Sequence, residues 1–308
     1  MKLILLRGQV PQDRNPKEIL FDRIEDCDDI YTQLAYRLGD QIGSVWYWGG
    51  KGQFNYGDRF AVTYHPDFRK VVWHPEDGYV IWARGGFKEY KPILDNAKNA
   101  FKIYYGAGKN FMPDRPDYNL VLCDSKYQLG KVREKFPNTR AELWIKPAAD
   151  NIIKPEDCRK QYDVCFVANE QQAERKRIPW VYKTKPKDIS MLHLGSGYKR
   201  VLRKDIGHYM SKCRVGIIPY NEIDSCPRAM VEMLACGLPV VAMDTVRFWN
   251  EKYVSVNVSR KENFWETVQW YLSGALRPGH VLDYYQNHLS LDKAAEYLKN
   301  LIKEGMNG

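Results

Sequence analysis

Two carboxylates and a guanidinium share one line along the segment "IDSCPRAMVEMLACGLPVVAMD", Ile223 to Asp244. Asp224, Arg228 and Glu232 recur every fourth residue, a spacing that stacks them on one face of an α-helix. Asp224 or Ser225 can cap that helix, and Pro227 suits a first turn whose N–H groups lack intrahelical partners. Gly237 stops it, and "LPVVAM" reads as a strand buried in a parallel sheet. Met230, Val231, Leu234 and Ala235 form the inward stripe. A positive helix end beside carboxylates can hold phosphate oxygens and sugar hydroxyls. On a solvated face the same spacing gives only an Arg228–Glu232 pair, worth about 0.2–0.5 kcal/mol.

Other reactive residue types gather where apolar runs end. The segments are "RGQVPQDR" (7–14), "ARGGFK" (83–88), "GAGKN" (106–110), "ANEQQAERKR" (168–177), "GSGYKR" (195–200) and "NEIDSCPR" (221–228), rich in glycine and cations. The run Arg175–Lys176–Arg177 is either a phosphate contact or a solvated surface run. "EDCDD" (25–29) contains the D-x-D spelling of metal-dependent transferases, but it falls in an acidic, helical stretch and reads as surface. His65 and His74 read as surface too, and the seven cysteines hold no C-x-x-C pair, which suits a reducing compartment and no zinc. No metal site is expected.

These residues need a scaffold. A chain of 308 residues suggests two domains, and 44% hydrophobic with 28% charged residues is ordinary for a globular protein. Short apolar runs alternate with helical or polar segments twice: "KLILL", "DIYTQLAYRL", "SVWYW", "FAVTYH", "GYVIWARGG", "AFKIYYGAG" and "YNLVLCDS", then "YDVCFVAN", "DISMLHLGSG", "DIGHYMSKC", "RVGIIPY" and "LPVVAMD". This predicts an α/β protein of two doubly wound domains with parallel sheets. The boundary is placed in the polar hinge 144–161, giving domains 1–150 and 151–275 with a helical tail 276–308 that returns to the first domain. Ligands bind beyond the carboxyl ends of such strands, which puts the expected site in a cleft between the domains. No apolar run reaches membrane-span length, and "MKLILLRG" reads as a first strand, so a cytoplasmic protein is expected. The net charge of +9 also suits an anionic partner, including a peripheral membrane surface.

"PYNEIDSCPRAMVEMLACGLPVVAMD" resembles the signature of the retaining, GT-B-fold glycosyltransferases of family 4: an acidic residue, seven others, Glu, and then G-x-P-V-V. Asp224 stands where that family has its first Glu, and Glu232 is the second. The resemblance covers roughly residues 118 to 272. "YNLVLCDS" is similar to the strand before the hinge, "IKPAAD" to a turn ending at Asp150, and "DVCFVAN" and "LHLGSG" to donor-domain strands. It implies a GT-B fold, two Rossmann-like domains facing across a cleft, the first binding acceptor and the second a nucleotide-diphosphate sugar. Glu232 would hydrogen-bond the donor ribose, and Asp224 would hold hydroxyls of the transferred sugar. The turn Ser225, Cys226, Pro227 and Arg228 would face the diphosphate or sugar. The family's basic residue falls near Lys176, with Arg175 and Arg177 beside it, and Asn169 replaces a family Arg. Tyr198 would stack on the base, or be part of a plain turn, and Gly8 would approach the donor. Arg84 or Lys109 would replace a family histidine at the reaction centre. The catalytic set is then Asp224, Lys176 and Arg84, with Arg7 and Lys109 on the acceptor side.

The resemblance further implies that the departing diphosphate takes the acceptor proton, so no protein nucleophile, metal or cofactor is required. A hexosyl or pentosyl group would move to a glycan or glycolipid hydroxyl. The alternatives are a modified (hydroxymethylated) base in DNA, as in phage, or a nucleotide-sugar or nucleic-acid binding module without turnover. A sugar-nucleotide epimerase would need paired acid–base groups, and a dinucleotide enzyme would need G-x-G-x-x-G after the first strand, which "LLRGQVPQ" lacks. "SVWYWGGKGQFNYGDRF" (44–60), with Trp46, Trp48, Lys51 and Arg59, can stack bases or sugar rings, or be a half-buried strand and loop.

Overall fold

The computed structural model of the chain describes residues 1–9, 27, 29–48, 52–71, 73, 78–86, 88–106, 112–220, 227–244, 256–274 and 278–307. Asp224, Ser225, Cys226, Lys51, Lys109 and His74 lie outside the described residues. The chain divides into two compact units, Met1–Trp144 with Ala294–Gly308, and Ile145–Lys293.

In the first unit the elements run β1 (Lys2–Gln9), α1 (Ile30–Leu38), β2 (Ile42–Trp48), β3 (Gly52–Tyr56), β4 (Phe60–His65), β5 (Tyr79–Arg84), α2 (Lys91–Asn96), β6 (Phe101–Tyr105), β7 (Leu120–Cys123), α3 (Lys126–Lys135) and β8 (Arg140–Leu143). Their sheet has the order β3-β4-β2-β1-β5-β6-β7-β8. β1 pairs in parallel with β2 and β5, so Leu3 to Leu6 are buried as a continuous apolar run rather than an alternating one. The expectation of wholly parallel sheets fails at one edge. β3 lies antiparallel to β4 through the turn 57–59, and its burial alternates, as a strand with one wet face should. The aromatic stretch 44–60 is therefore largely strand. A further strand, β8, also separates "YNLVLCDS" from the unit boundary.

The second unit contains β9 (Tyr162–Val167), α4 (Ile178–Thr184), β10 (Met191–Leu194), α5 (Ile206–Ser211), β11 (Cys213–Ile218), α6 (Arg228–Ala235), β12 (Val240–Met243), β13 (Val256–Ser259), α7 (Phe264–Leu272), α8 (Pro278–His288) and the first residues of α9 (Leu291–Asn307). The sheet order is β10-β9-β11-β12-β13, parallel throughout. Gly237 takes a left-handed φ of 73° after α6, and β12 is buried as expected. α6 itself has no wet face beyond Arg228, because residues 229–235 are all buried.

Residues 146–149, expected in a polar hinge, are buried. The Ala148 amide donates to the Tyr285 hydroxyl at 3.2 Å, and that hydroxyl donates to Asp150 at 3.0 Å. Asp150 also accepts from the Leu291 amide at 2.8 Å, tying this segment to α8 and to the start of α9. The rest of α9 belongs to the first unit, where Glu304 meets Arg140 at 2.8 Å and the Ala294 carbonyl accepts from Trp144 at 3.3 Å.

Candidate functional site

In a doubly wound sheet the ligand crevice opens where successive connections leave to opposite sides. In the second unit the chain passes from β9 to β10 on one side, then to β11 on the other, so the switch lies between β9 and β11. At the carboxyl end of that pair the Tyr220 hydroxyl donates to the Val167 carbonyl at 2.9 Å. Lys176 Nζ sits 3.1 Å from the Tyr220 ring centroid, and Lys176 is 7% exposed. The surface-run reading of Arg175–Lys176–Arg177 therefore fails at Lys176. A turn puts it there: the Lys176 amide donates to the Gln172 carbonyl at 2.8 Å, and Arg177 takes a left-handed φ of 53° before α4 begins. Arg177 then reaches the Met243 sulfur at the end of β12. A non-glycine residue in this region costs about 1–3 kcal/mol, which the surrounding packing must offset.

Glu232 is 3% exposed, and its Oε1 accepts from Arg203 Nη2 at 2.7 Å. The solvated Arg228–Glu232 pair is replaced by this one, while Arg228 stays exposed. Arg203 was missed in the sequence. Its signal was present, since it follows the glycine-rich turn after β10 in the cation-rich run "YKRVLRK". The N-cap position of α6 is Pro227, one residue before the helix rather than inside it, and no side chain of the described residues caps it.

The "GSG" turn is built against the end of β9. Gly195 has φ of 150°, and a Cβ there would run into the Ala168 carbonyl oxygen. The Asn169 side-chain oxygen accepts from the Ser196 amide at 2.9 Å, so the residue that stands for a family Arg holds this turn. The Tyr198 ring is stacked on His193, centroids 3.6 Å apart, with Tyr182 at 6.2 Å. His193 Nε2 is 3.0 Å from the Ala168 carbonyl, which can only accept, so Nε2 carries the proton and Nδ1 accepts from the Tyr182 hydroxyl at 3.1 Å. Burial pushes the His193 pKa down, and the bond to Ala168 opposes this only in part.

The switch of the first unit lies between β1 and β5, with Arg7 near the carboxyl end of β1 and Arg84 at that of β5. Both guanidiniums lie over the Tyr31 ring, at 4.8 Å and 4.4 Å from its centroid. Asp29 caps α1 by accepting from the Thr32 amide at 3.0 Å and hydroxyl at 2.8 Å, and its other oxygen accepts from Arg7 at 2.8 Å. The surface reading of 25–29 is thus wrong for Asp29, whose side chain is 19% exposed, and Cys27 is buried. Burial pulls the Arg7 pKa down, but Asp29, with Tyr47 and Tyr31, outweighs it and holds the guanidinium above its ordinary value. Burial likewise raises the Asp29 pKa, and Arg7 with Thr32 outweighs it, keeping the carboxyl below its usual range. Gly8 follows Arg7 in β1, partly buried.

Trp46 and Arg59 line one cavity of about 600 Å³ together with Gln53, Asn55, Thr63 and His65. Arg59 also donates to the Asp40 carbonyl at 3.0 Å. His65, expected at the surface, is half-buried with its ring centroid 4.8 Å from that of Trp46. Trp46 and Trp48 both pack partly buried against the core of the first unit, and the Trp46 ring also meets that of Trp73 at 5.2 Å. Among the described residues, no group of three His, Cys, Asp or Glu side chains could hold a metal ion, and no helix is long and apolar enough to cross a membrane.

No protein-family model matches the chain, and no curated protein matches it. Solved structures do. A sucrose-phosphate synthase from Thermosynechococcus elongatus aligns over 99% of this chain and 99% of its own, with TM-score 0.66 and 10% identity. The trehalose-6-phosphate synthase OtsA aligns over 98% and 99%, with TM-score 0.65 and 10% identity. The pneumococcal O-GlcNAc transferase GtfA, solved with UDP and GlcNAc, aligns over 75% of this chain with TM-score 0.50 and 11% identity. The chain spans only 57% of that protein's length. At these identities the likeness shows the fold: the chain has the GT-B fold of glycosyltransferases.

Proposed function

We propose that this GT-B chain is a glycosyltransferase that moves a sugar from a nucleotide-diphosphate sugar to an acceptor hydroxyl, with the donor held in the second unit. The observation that carries this is the buried Lys176 at the β9/β11 switch, with its ammonium over the Tyr220 ring. A cation held dry at a strand-end crevice suits a diphosphate, and the first turn of α6 adds backbone N–H groups to the same unit. Glu232 is the group for the donor ribose, because a buried carboxylate accepts hydroxyl hydrogen bonds, with Arg203 holding its orientation. Structures sharing this fold include one bound to UDP and another described as bound with UDP-2-fluoro glucose.

In the retaining mode the C1–O bond to the diphosphate breaks, the acceptor oxygen bonds to C1 on the same face, and its proton passes to the departing phosphate. Lys176 stabilises the charge that develops on that phosphate, so the chemistry asks for neither a protein nucleophile nor a metal. Asp224 is proposed to hold hydroxyls of the transferred sugar, and the acceptor is a glycan or glycolipid bound by the first unit. Calorimetric titration with UDP-, GDP- and ADP-sugars tests the reading. One of them is expected to bind, and its affinity to fall in Lys176→Met and Glu232→Gln. Unchanged affinity in both variants would overturn it.

A further inference from the structure

We propose that the first unit binds an oxyanion, a phosphate monoester or carboxylate, between Arg7 and Arg84, and that this group is carried by a sugar acceptor. The identification as acceptor rests on the glycosyltransferase reading; the anion site does not.

Two guanidiniums meet at the β1/β5 switch, both packed over the Tyr31 ring, and one carboxylate faces them. Among the described residues Asp29 makes no hydrogen bond to Arg84: one oxygen accepts from Arg7 and the other from the Thr32 amide and hydroxyl. Among the described residues, the buried Arg84 Nε and Arg7 Nε and Nη1 meet no hydrogen-bond partner. A buried charged donor in this state takes its missing acceptor from water, an ion or a ligand. A planar fork is matched by the paired oxygens of a phosphate or carboxylate. Stacking on Tyr31 places both forks, and the Asp29 bond also holds that of Arg7, before any ligand arrives, which lowers the ordering cost of binding. Each arginine keeps part of its side chain at the surface, so the pair can be reached. The place is also the one the topology favours, at the carboxyl ends of adjacent strands at a switch point.

Inorganic phosphate, titrated calorimetrically at an ionic strength held constant with chloride, is expected to bind saturably. Arg84→Gln is expected to weaken this at least ten-fold, and Arg84→Lys, which keeps the charge but loses the fork, to fall between. Arg7 is left intact, since its loss would strand Asp29. Hexose 6-phosphate, glucuronate and vesicles containing phosphatidate then identify the source of the anion, each judged by its dependence on Arg84. Equal phosphate binding by wild type and Arg84→Gln, no binding beyond the chloride control, or a neutral hexose competing as well as its phosphate would each overturn the proposal. UDP titrated into the wild type tests the donor reading separately. Loss of UDP binding in the wild type sinks the donor reading and leaves the anion result standing.

Discussion

Glu232 Oε1 and Arg203 Nη2 are 2.7 Å apart, with the carboxylate side chain 4% exposed and the guanidinium 19% exposed. A charge pair this buried is costly to break from one side. Arg203→Met is expected to lower stability by about 3–5 kcal/mol, because the carboxylate stays behind without its partner. Glu232→Gln, which keeps the shape and an acceptor oxygen, is expected to cost less. Urea denaturation of the two variants makes the comparison; equal losses would mean that the pair is not what holds α6 to the segment after β10.

Lys176 is expected to act on donor affinity more than on folding. Lys176→Met keeps most of the apolar stem under cover and removes the charge, and UDP binding is expected to weaken by roughly 1.5–3 kcal/mol, the range for a hydrogen bond to a charged group. Thermal unfolding without ligand controls for damage to the fold. A variant that binds UDP as wild type does would remove Lys176 from the site.

His193 makes the second unit sensitive to acid. Its pKa in the folded chain lies below the ordinary 6.5, so the unfolded chain takes up the proton first as pH falls. Its contribution is whole above pH 6.5 and declines below that, down to the folded-state value. His193→Phe retains a ring to stack on Tyr198 and removes the titration. The difference in urea midpoint between wild type and variant is therefore expected to shift toward the variant between pH 7.5 and pH 5. A difference independent of pH would place His193 on solvent.

Gly195 tests the turn. Gly195→Ala forces a Cβ against the Ala168 carbonyl at a φ that side chains rarely adopt, and the expected loss is on the order of 1–3 kcal/mol. Because Asn169 and Ser196 share this turn, UDP affinity is expected to fall with it. Gly197→Ala is a poor control, since Glu170 lies against it; Gly130, exposed in α3 with open space around it, is the better one.

Periodicity along the chain was enough to identify most of the strands, though not β3, β8 or β13. The 3.6-residue stripe of Met230, Val231 and Leu234, the stop at Gly237 and the run "LPVVAM" are local facts, and α6 and β12 stand where they place them. The same local logic made both sheets parallel and missed the β3–β4 hairpin, because a short aromatic run looks alike in either direction and only the neighbour it meets decides. Charged residues were the least legible. Lys176, Glu232 and Asp29 occur in sequences that read equally well as solvated surface, and what buries them is contact between elements far apart in the chain: Tyr220 under Lys176, Arg203 on Glu232, Arg7 on Asp29. Sequence determined which residue types stand at strand ends, since that depends on near neighbours. Strand order decided which ends face a crevice. It places β9 beside β11 and β1 beside β5, and pairing between distant segments is set by the burial of whole sheets, which no single window of sequence contains.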